Sequence, residues 1–138
     1  MGRITLKQAV DFHGHLGPYL VLGILAGEAA IKKLNCRKYF GLEVKVSGAA
    51  DKPKSCLVDG LQLSTGATYG KGNIKKIAGK NIKILFRNCE DNKKIALRLD
   101  KNLLRRLDGL KGHSDSEILA KELYKKDTLN GTFSFRYL

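Results

Sequence analysis

Two of the three histidines in this chain, His13 and His15, flank Gly14 in the short stretch "DFHGHLGP" at residues 11 to 18. A neutral imidazole is a metal ligand, and a titrating one passes protons near neutral pH. Two residues apart on a helix the rings would point nearly opposite ways. Across a helix-breaking glycine in an extended turn, both can turn toward one point. That arrangement suits a metal ion or a proton relay, and the alternative is a pair of capping or core histidines bonded to backbone. A third soft ligand favours the metal, because zinc takes imidazole and thiolate together and uses three or four protein donors. Cys56, in "CLVDGLQLSTGATYGKGN", is that candidate. On a helix Cys56, Asp59 and Gly60 share one side and Gln62 follows Asp59 by three, so a thiol, a carboxylate and an amide can face one cavity. Asp59 is the candidate base or orienting group of such a site.

The glycine-rich run after Cys56 resembles a phosphate cradle without being a standard one. A P-loop needs four residues between its first glycine and Gly-Lys, then Ser or Thr. Here Gly66 and Gly70 enclose three, and Gly72 follows Lys71. That spacing argues against nucleoside triphosphate hydrolysis and leaves Gln62, Thr68 and Lys71, with the loop N–H groups, as candidates for holding an anionic ligand or cofactor. His113 is expected at the surface. The three cysteines, Cys36, Cys56 and Cys89, are odd in number and form no CxxC pair, which argues against a disulfide framework and a zinc knuckle. Free thiols in a reducing cytoplasm are the expectation, and a lone cysteine commonly serves as a small buried hydrophobe.

The elements that must position these groups can be read in order. Thr5 caps a short helix through Lys7 to Phe12, which Gly14 and Gly17 break. Pro18 fits the first position of a second helix to about Leu34, apolar all round in its first half and amphipathic only after Glu28. Its beginning should therefore be buried on every side. Gly23 and Gly27 lie four apart on it, a spacing that admits another backbone closely, and a dimer seam is one use of it. "GLEVKVSGAA", from 41 to 50, alternates as a half-buried strand does. Pro53 opens a third helix to about Ser64, ended by Gly66. "NIKKIAGKNIKILFRN", from 73 to 88, reads as two strands about the turn Ala78-Gly79-Lys80-Asn81, and "KKIALRL" as a further strand. A short helix over 101–107 follows, then a capping box of Ser114 and Glu117 ahead of a helix from Ile118 to Lys125, and "TFSFRYL" closes the sheet as a strand. The expected class is α+β, a single domain over 1–138 with helices packed on an antiparallel β-sheet.

At 138 residues and 43% hydrophobic, the chain is long enough for one ordinary core. No stretch reaches the roughly 18 to 20 apolar residues of a membrane span, since Pro18 to Ile31 is interrupted by Glu28. The first ten residues lack the apolar run and cleavage site of a signal peptide. No membrane and a cytoplasmic location are the expectations. The net charge of +13 is uneven: 9 Lys and Arg face 5 Asp and Glu in the first 70 residues, and 17 face 8 in the rest. Such a balance permits contact with nucleic acid and other anions. The cations come in pairs without interleaved aromatics, which fits a solvated surface better than a base-stacking site.

"FHGHLGP" followed some forty residues later by "CLVDGLQLSTGATYGKGNI" resembles the family of formylmethanofuran dehydrogenase E-subunit-like proteins. Its pattern runs roughly Phe-His-Gly-His-x-Cys-Pro-Gly, then Cys-x-x-Asp-Ala-x-Gln-x-x-x-Gly-Cys-Thr-x-Gly-Lys-x-Asn. Phe12, His13, Gly14, His15 and Pro18 match the first part, and Cys56, Asp59, Gln62, Gly66, Thr68, Gly70, Lys71 and Asn73 the second. The resemblance implies an α+β fold assembling as an intertwined homodimer. It also implies a metal held by His13, His15 and Cys56, with zinc the expected ion and Asp59 as fourth ligand or as support. The partners it implies are other subunits of a molybdenum or tungsten formylmethanofuran dehydrogenase system. Some relatives add a C-terminal zinc-finger domain, and this chain lacks the paired cysteines for one. Gly17 stands where the family has cysteine before the proline, and Ala67 where it has Gly-Cys-Thr. The site is thus poorer in sulfur, and chemistry that needs a thiol pair is not expected. Gly60 for the usual alanine and Tyr19 for the usual glycine suggest a reshaped pocket. The competing readings are a basic nucleic-acid- or anion-binding protein and a scaffold protein whose old site has decayed.

Overall fold

The structure, a computed structural model, describes residues 3–126 and 129–138. Thr5 opens α1 (Leu6–His13) with a capping box: its hydroxyl accepts from the Gln8 amide, and the Gln8 side chain accepts from the Thr5 amide. Gly14, at φ 105°, ends the helix in a left-handed conformation that a side chain would resist. After a break the chain bends by 119° into α2 (Pro18–Leu34), with proline at its first turn. Every residue from Pro18 to Gly27 is buried, as the uninterrupted apolar pattern requires. No single helix among the described residues is long and apolar enough to cross a membrane.

The other elements are β1 (Leu42–Ser47), α3 (Cys56–Thr65), β2 (Ile74–Ile77), β3 (Lys83–Asn88), β4 (Lys94–Leu99), α4 (Lys101–Asp108), α5 (Gly112–Tyr124) and β5 (Phe133–Tyr137). They form one five-stranded sheet in the order β2-β1-β3-β4-β5 beneath the helices. The fold is α+β, but the sheet is mixed where an antiparallel one was expected. β2 runs parallel to β1, with Lys45 beside Lys75, whereas β3, β4 and β5 add antiparallel. The two strands read about residues 78–81 therefore make no hairpin, because β1 lies between them. The cause is α3: a helical crossover returns the chain in the direction it left, so the strand after it pairs in parallel. The 78–81 connection then passes over the end of β1. A Cβ on Gly48 there would stand 2.2 Å from the Asn81 carbonyl oxygen, and a φ of +77° already favours glycine.

Leu42, Val44 and Val46 of β1, Ile84 and Phe86 of β3, and Ile95 and Leu97 of β4 point into one core with α2, α3 and α5. Gly23 and Gly27 do admit a close neighbour, but it is α3 of the same chain and not a dimer seam. A Cβ on Gly23 would lie 2.1 Å from the Leu57 carbonyl, and one on Gly27 would lie 1.9 Å from Ser64 Oγ. Gly60 faces this crossing and Tyr19 packs in the core, so both family departures are absorbed by packing. α5 begins at Gly112, ahead of the expected cap: Ser114 sits within the helical turn and cannot act as an N-cap, which needs extended backbone.

Burial, with help from the Asp108 carboxylate, pushes the Tyr19 phenol from its ordinary value near 10 to about 12. The fold thus favours the neutral phenol. Its contribution is complete below pH 10 and is lost as pH rises toward 12. The melting temperature of the wild type is expected to fall more steeply between pH 10 and pH 12 than that of Tyr19→Phe. Parallel curves for the two proteins would contradict it.

Candidate metal centre

The break between α1 and α2 and the start of α3 bring the two sequence motifs together. Gly14 turns the chain so that the His15 ring folds back on His13, with ring centroids 4.7 Å apart and planes inclined by 51°. Cys56, the first residue of α3, completes a cluster: one ligand atom from each of His13, His15 and Cys56 lies within 4.8 Å of the others. Bonds of about 2.0 Å from nitrogen and about 2.3 Å from sulfur set tetrahedral donors roughly 3.5 Å apart. Contraction by about an ångström, within the reach of small side-chain rotations, would therefore close the three on one ion.

His13 carries the most informative feature. Its Nδ1 lies 2.6 Å from Asp59 Oδ2, and a carboxylate only accepts, so the proton sits on Nδ1. Nε2 then presents a lone pair. That nitrogen is buried and has no partner among the described residues. A buried acceptor left unsatisfied costs about 1–3 kcal/mol, which a bound cation would relieve. A histidine whose other nitrogen donates to a carboxylate is the arrangement that fixes tautomer and ring orientation in metal sites. His15 is exposed and Cys56 half-buried, so the cluster opens to solvent on the His15 side. Burial pushes the Cys56 thiol up, Asp59 adds to the shift, and Lys52 opposes it.

Asp59 passes the constraint onward. Its Oδ1 accepts from Gln62 Nε2 at 3.3 Å, and Gln62 Oε1 accepts from the Tyr69 amide at 3.2 Å. Gln62 thereby ties the cluster to the glycine-rich loop. Thr68 and Lys71 close that loop on itself: the Lys71 ammonium donates to the Gly66 carbonyl at 2.5 Å and to Thr68 Oγ1 at 3.2 Å, and Thr68 Oγ1 also accepts from the Lys71 amide. Asn73 anchors the loop to the sheet, accepting from the Thr68 amide and donating to the Tyr39 and Leu42 carbonyls. Of the candidates read from sequence, His13, His15, Cys56, Asp59 and Gln62 come together, while Thr68 and Lys71 stand in the adjoining loop.

Aromatic residues around this region were not read from sequence. The Tyr69 phenol is pushed up by burial and by the Asp59 carboxylate, which places it near the cluster. The Tyr39 ring lies against Gly66, where a Cβ would meet it at 2.3 Å, and the Lys71 ammonium sits over the Phe40 ring. None of these carries a periodic signal, because each lies in a loop.

The family departures have clear positions. Gly17 has extended backbone, and a Cβ there would stand 3.7 Å from His15 Nδ1, so a cysteine at this place would adjoin the cluster. Ala67 is fully buried. His113 is exposed on α5, outside the cluster, as expected. The three cysteines are free, but Cys89 is exposed and not a buried hydrophobe: it follows the end of β3, where its amide donates to the Gly41 carbonyl.

Residues 12–130 match the family model described as "FmdE, Molybdenum formylmethanofuran dehydrogenase operon". A "Probable S-adenosyl-L-methionine-binding protein" of Archaeoglobus fulgidus is 31% identical over an 88-residue alignment, which covers 59% of this chain and 23% of that protein. The matched part is thus less than a quarter of that relative's length. The crystal structure of an FmdE-like protein of tungsten formylmethanofuran dehydrogenase, from Syntrophus aciditrophicus, superposes with a TM-score of 0.69 at 19% identity. The match covers 96% of this chain and 69% of that one, a likeness of fold.

Proposed function

Because the chain belongs to the FmdE family, that of the molybdenum formylmethanofuran dehydrogenase operon, we propose that it is a metal-binding protein of that system. His13, His15 and Cys56 hold one divalent transition ion, and the mixed imidazole and thiolate donors favour zinc. The buried, unpartnered Nε2 of His13, with its tautomer set by Asp59, carries this reading. Asp59 acts as the orienting group, since both of its oxygens are already engaged. Three protein donors is the number zinc keeps where water or substrate takes the remaining position, and an ion so held lowers the pKa of bound water or polarises a substrate oxygen. Gln62, Thr68 and Lys71 form the wall against which a ligand would lie beside the ion. The protein works as a single-domain homodimer in a reducing cytoplasm, alongside other dehydrogenase subunits.

Metal content of the purified, untagged protein by mass spectrometry tests this, beside His15→Ala and Cys56→Ser. About one equivalent per chain is expected in the wild type, with loss in both variants. Wild type that is isolated without metal and refuses added zinc, nickel and iron would overturn it in favour of a scaffold with a decayed site. Sedimentation of the same samples checks the homodimer.

A further inference from the structure

The face of the sheet turned away from the helices carries a concentration of positive charge that the metal centre does not use. Alternation puts Leu42, Val44, Val46, Ile84, Phe86, Ile95 and Leu97 inside, and so sends their neighbours outward. Lys45 and Lys75 lie side by side on β1 and β2, and Lys83 stands directly opposite Arg98 on β3 and β4. Lys94 and Arg136 extend the field toward β5. The one acid among the described strand residues of this face, Glu43, is taken by Arg87. Lys45, Lys75, Lys83, Lys94, Arg98 and Arg136 form no ion pair with a described residue.

Like charges set directly across a strand pair destabilise a sheet. Two such pairs on one uncovered face therefore oppose folding, and a polyanion laid over them would turn that repulsion into attraction. We propose that this face binds the phosphodiester backbone of a nucleic-acid duplex, independently of the metal centre. Five strands at about 4.8 Å spacing make a platform roughly 19 Å across. That is too broad to enter a major groove about 12 Å wide, so the face meets phosphates and not base edges. No aromatic projects from the strands on this side to stack an unpaired base. A lipid surface fits less well, because interfacial binding adds buried apolar anchors to charge, and at the centre of this face Leu85 is half-buried and Ala96 only 5% exposed. A second copy of the same face would bring cation against cation.

The test is fluorescence anisotropy of labelled duplexes of about 20 base pairs, DNA and RNA in parallel, between about 50 and 200 mM salt. Binding is expected to weaken about a thousandfold over that range for six phosphate contacts. The triple variant Lys45→Gln, Lys83→Gln, Arg98→Gln should bind at least about tenfold more weakly, with a salt slope reduced by about 2.7. It should retain its metal and melt no lower than wild type. The triple Lys101→Gln, Lys111→Gln, Lys121→Gln on the α4 and α5 side, with the same charge change, should bind within about twofold of wild type. Arg98→Gln alone repeats the comparison should the first triple unfold. A response with either duplex supports the proposal, and the ratio between them identifies the source. No binding at low salt, equal losses in the two triples, or tighter binding to vesicles containing phosphatidylserine than to either duplex would overturn it.

Discussion

Gly60→Ala is expected to destabilise the protein by about 3 kcal/mol, at the upper end of what overpacking does to a core. At Gly60 a Cβ would lie 2.1 Å from the Leu20 carbonyl oxygen, 2.8 Å from the Ile24 nitrogen and 2.9 Å from the Gly23 Cα. All three are backbone atoms of α2, so no side chain can rotate out of the way. The helices would have to part, and α2 is buried along this whole stretch with no free side to move toward. Urea unfolding should show a lower midpoint with an unchanged slope, which marks a loss of stability without a change in the unfolded state. Gly70→Ala is the control, since the nearest atom to its Cβ is 3.8 Å away. If Gly60→Ala unfolds within about 0.5 kcal/mol of wild type, the range of ordinary surface changes, α2 and α3 do not cross as described. The alanine of the resembled family at this position implies that its two helices stand further apart.

Asp59→Asn is expected to weaken metal affinity by about 10- to 100-fold while leaving the fold intact, as removal of a group that supports a ligand commonly does. The carboxylate fixes the His13 proton on Nδ1 and so leaves Nε2 free to donate. An asparagine keeps the shape, but it removes the charge that holds this tautomer and steadies a bound cation. Competition with a chromogenic zinc chelator measures the change, with Cys56→Ser in the same series. An affinity equal to wild type would remove Asp59 from the site. A loss as complete as that of Cys56→Ser would make Asp59 a direct ligand instead of an orienting group.

Much of this molecule can be read along the chain, wherever the controlling physics acts over a few residues. The limits of α2 follow from Pro18 and from the apolar run that must be buried all round. The capping of α1 follows from Thr5, and the inward face of β1 from strict alternation. Ligand chemistry alone joins His13, His15 and Cys56, because few soft donors exist in the sequence and only these lie in stretches that can turn toward one another. Over longer distances the sequence is silent. β2 is four residues long with a single buried side chain, so its own pattern cannot choose a partner, and the α3 crossover sets it parallel to β1. The same four-residue spacing of Gly23 and Gly27 serves a seam between chains as well as one within a chain. The site that receives them, Gly60 and Ser64 of α3, exists only after folding. Asp59 became a tautomer-fixing partner, and six unpaired cations became a single face, through strand register and helix crossing. Chain-local patterning therefore determined the elements and the donor set. Tertiary structure decided pairing, orientation and surface charge, because those depend on burial and backbone approach between residues far apart in the chain.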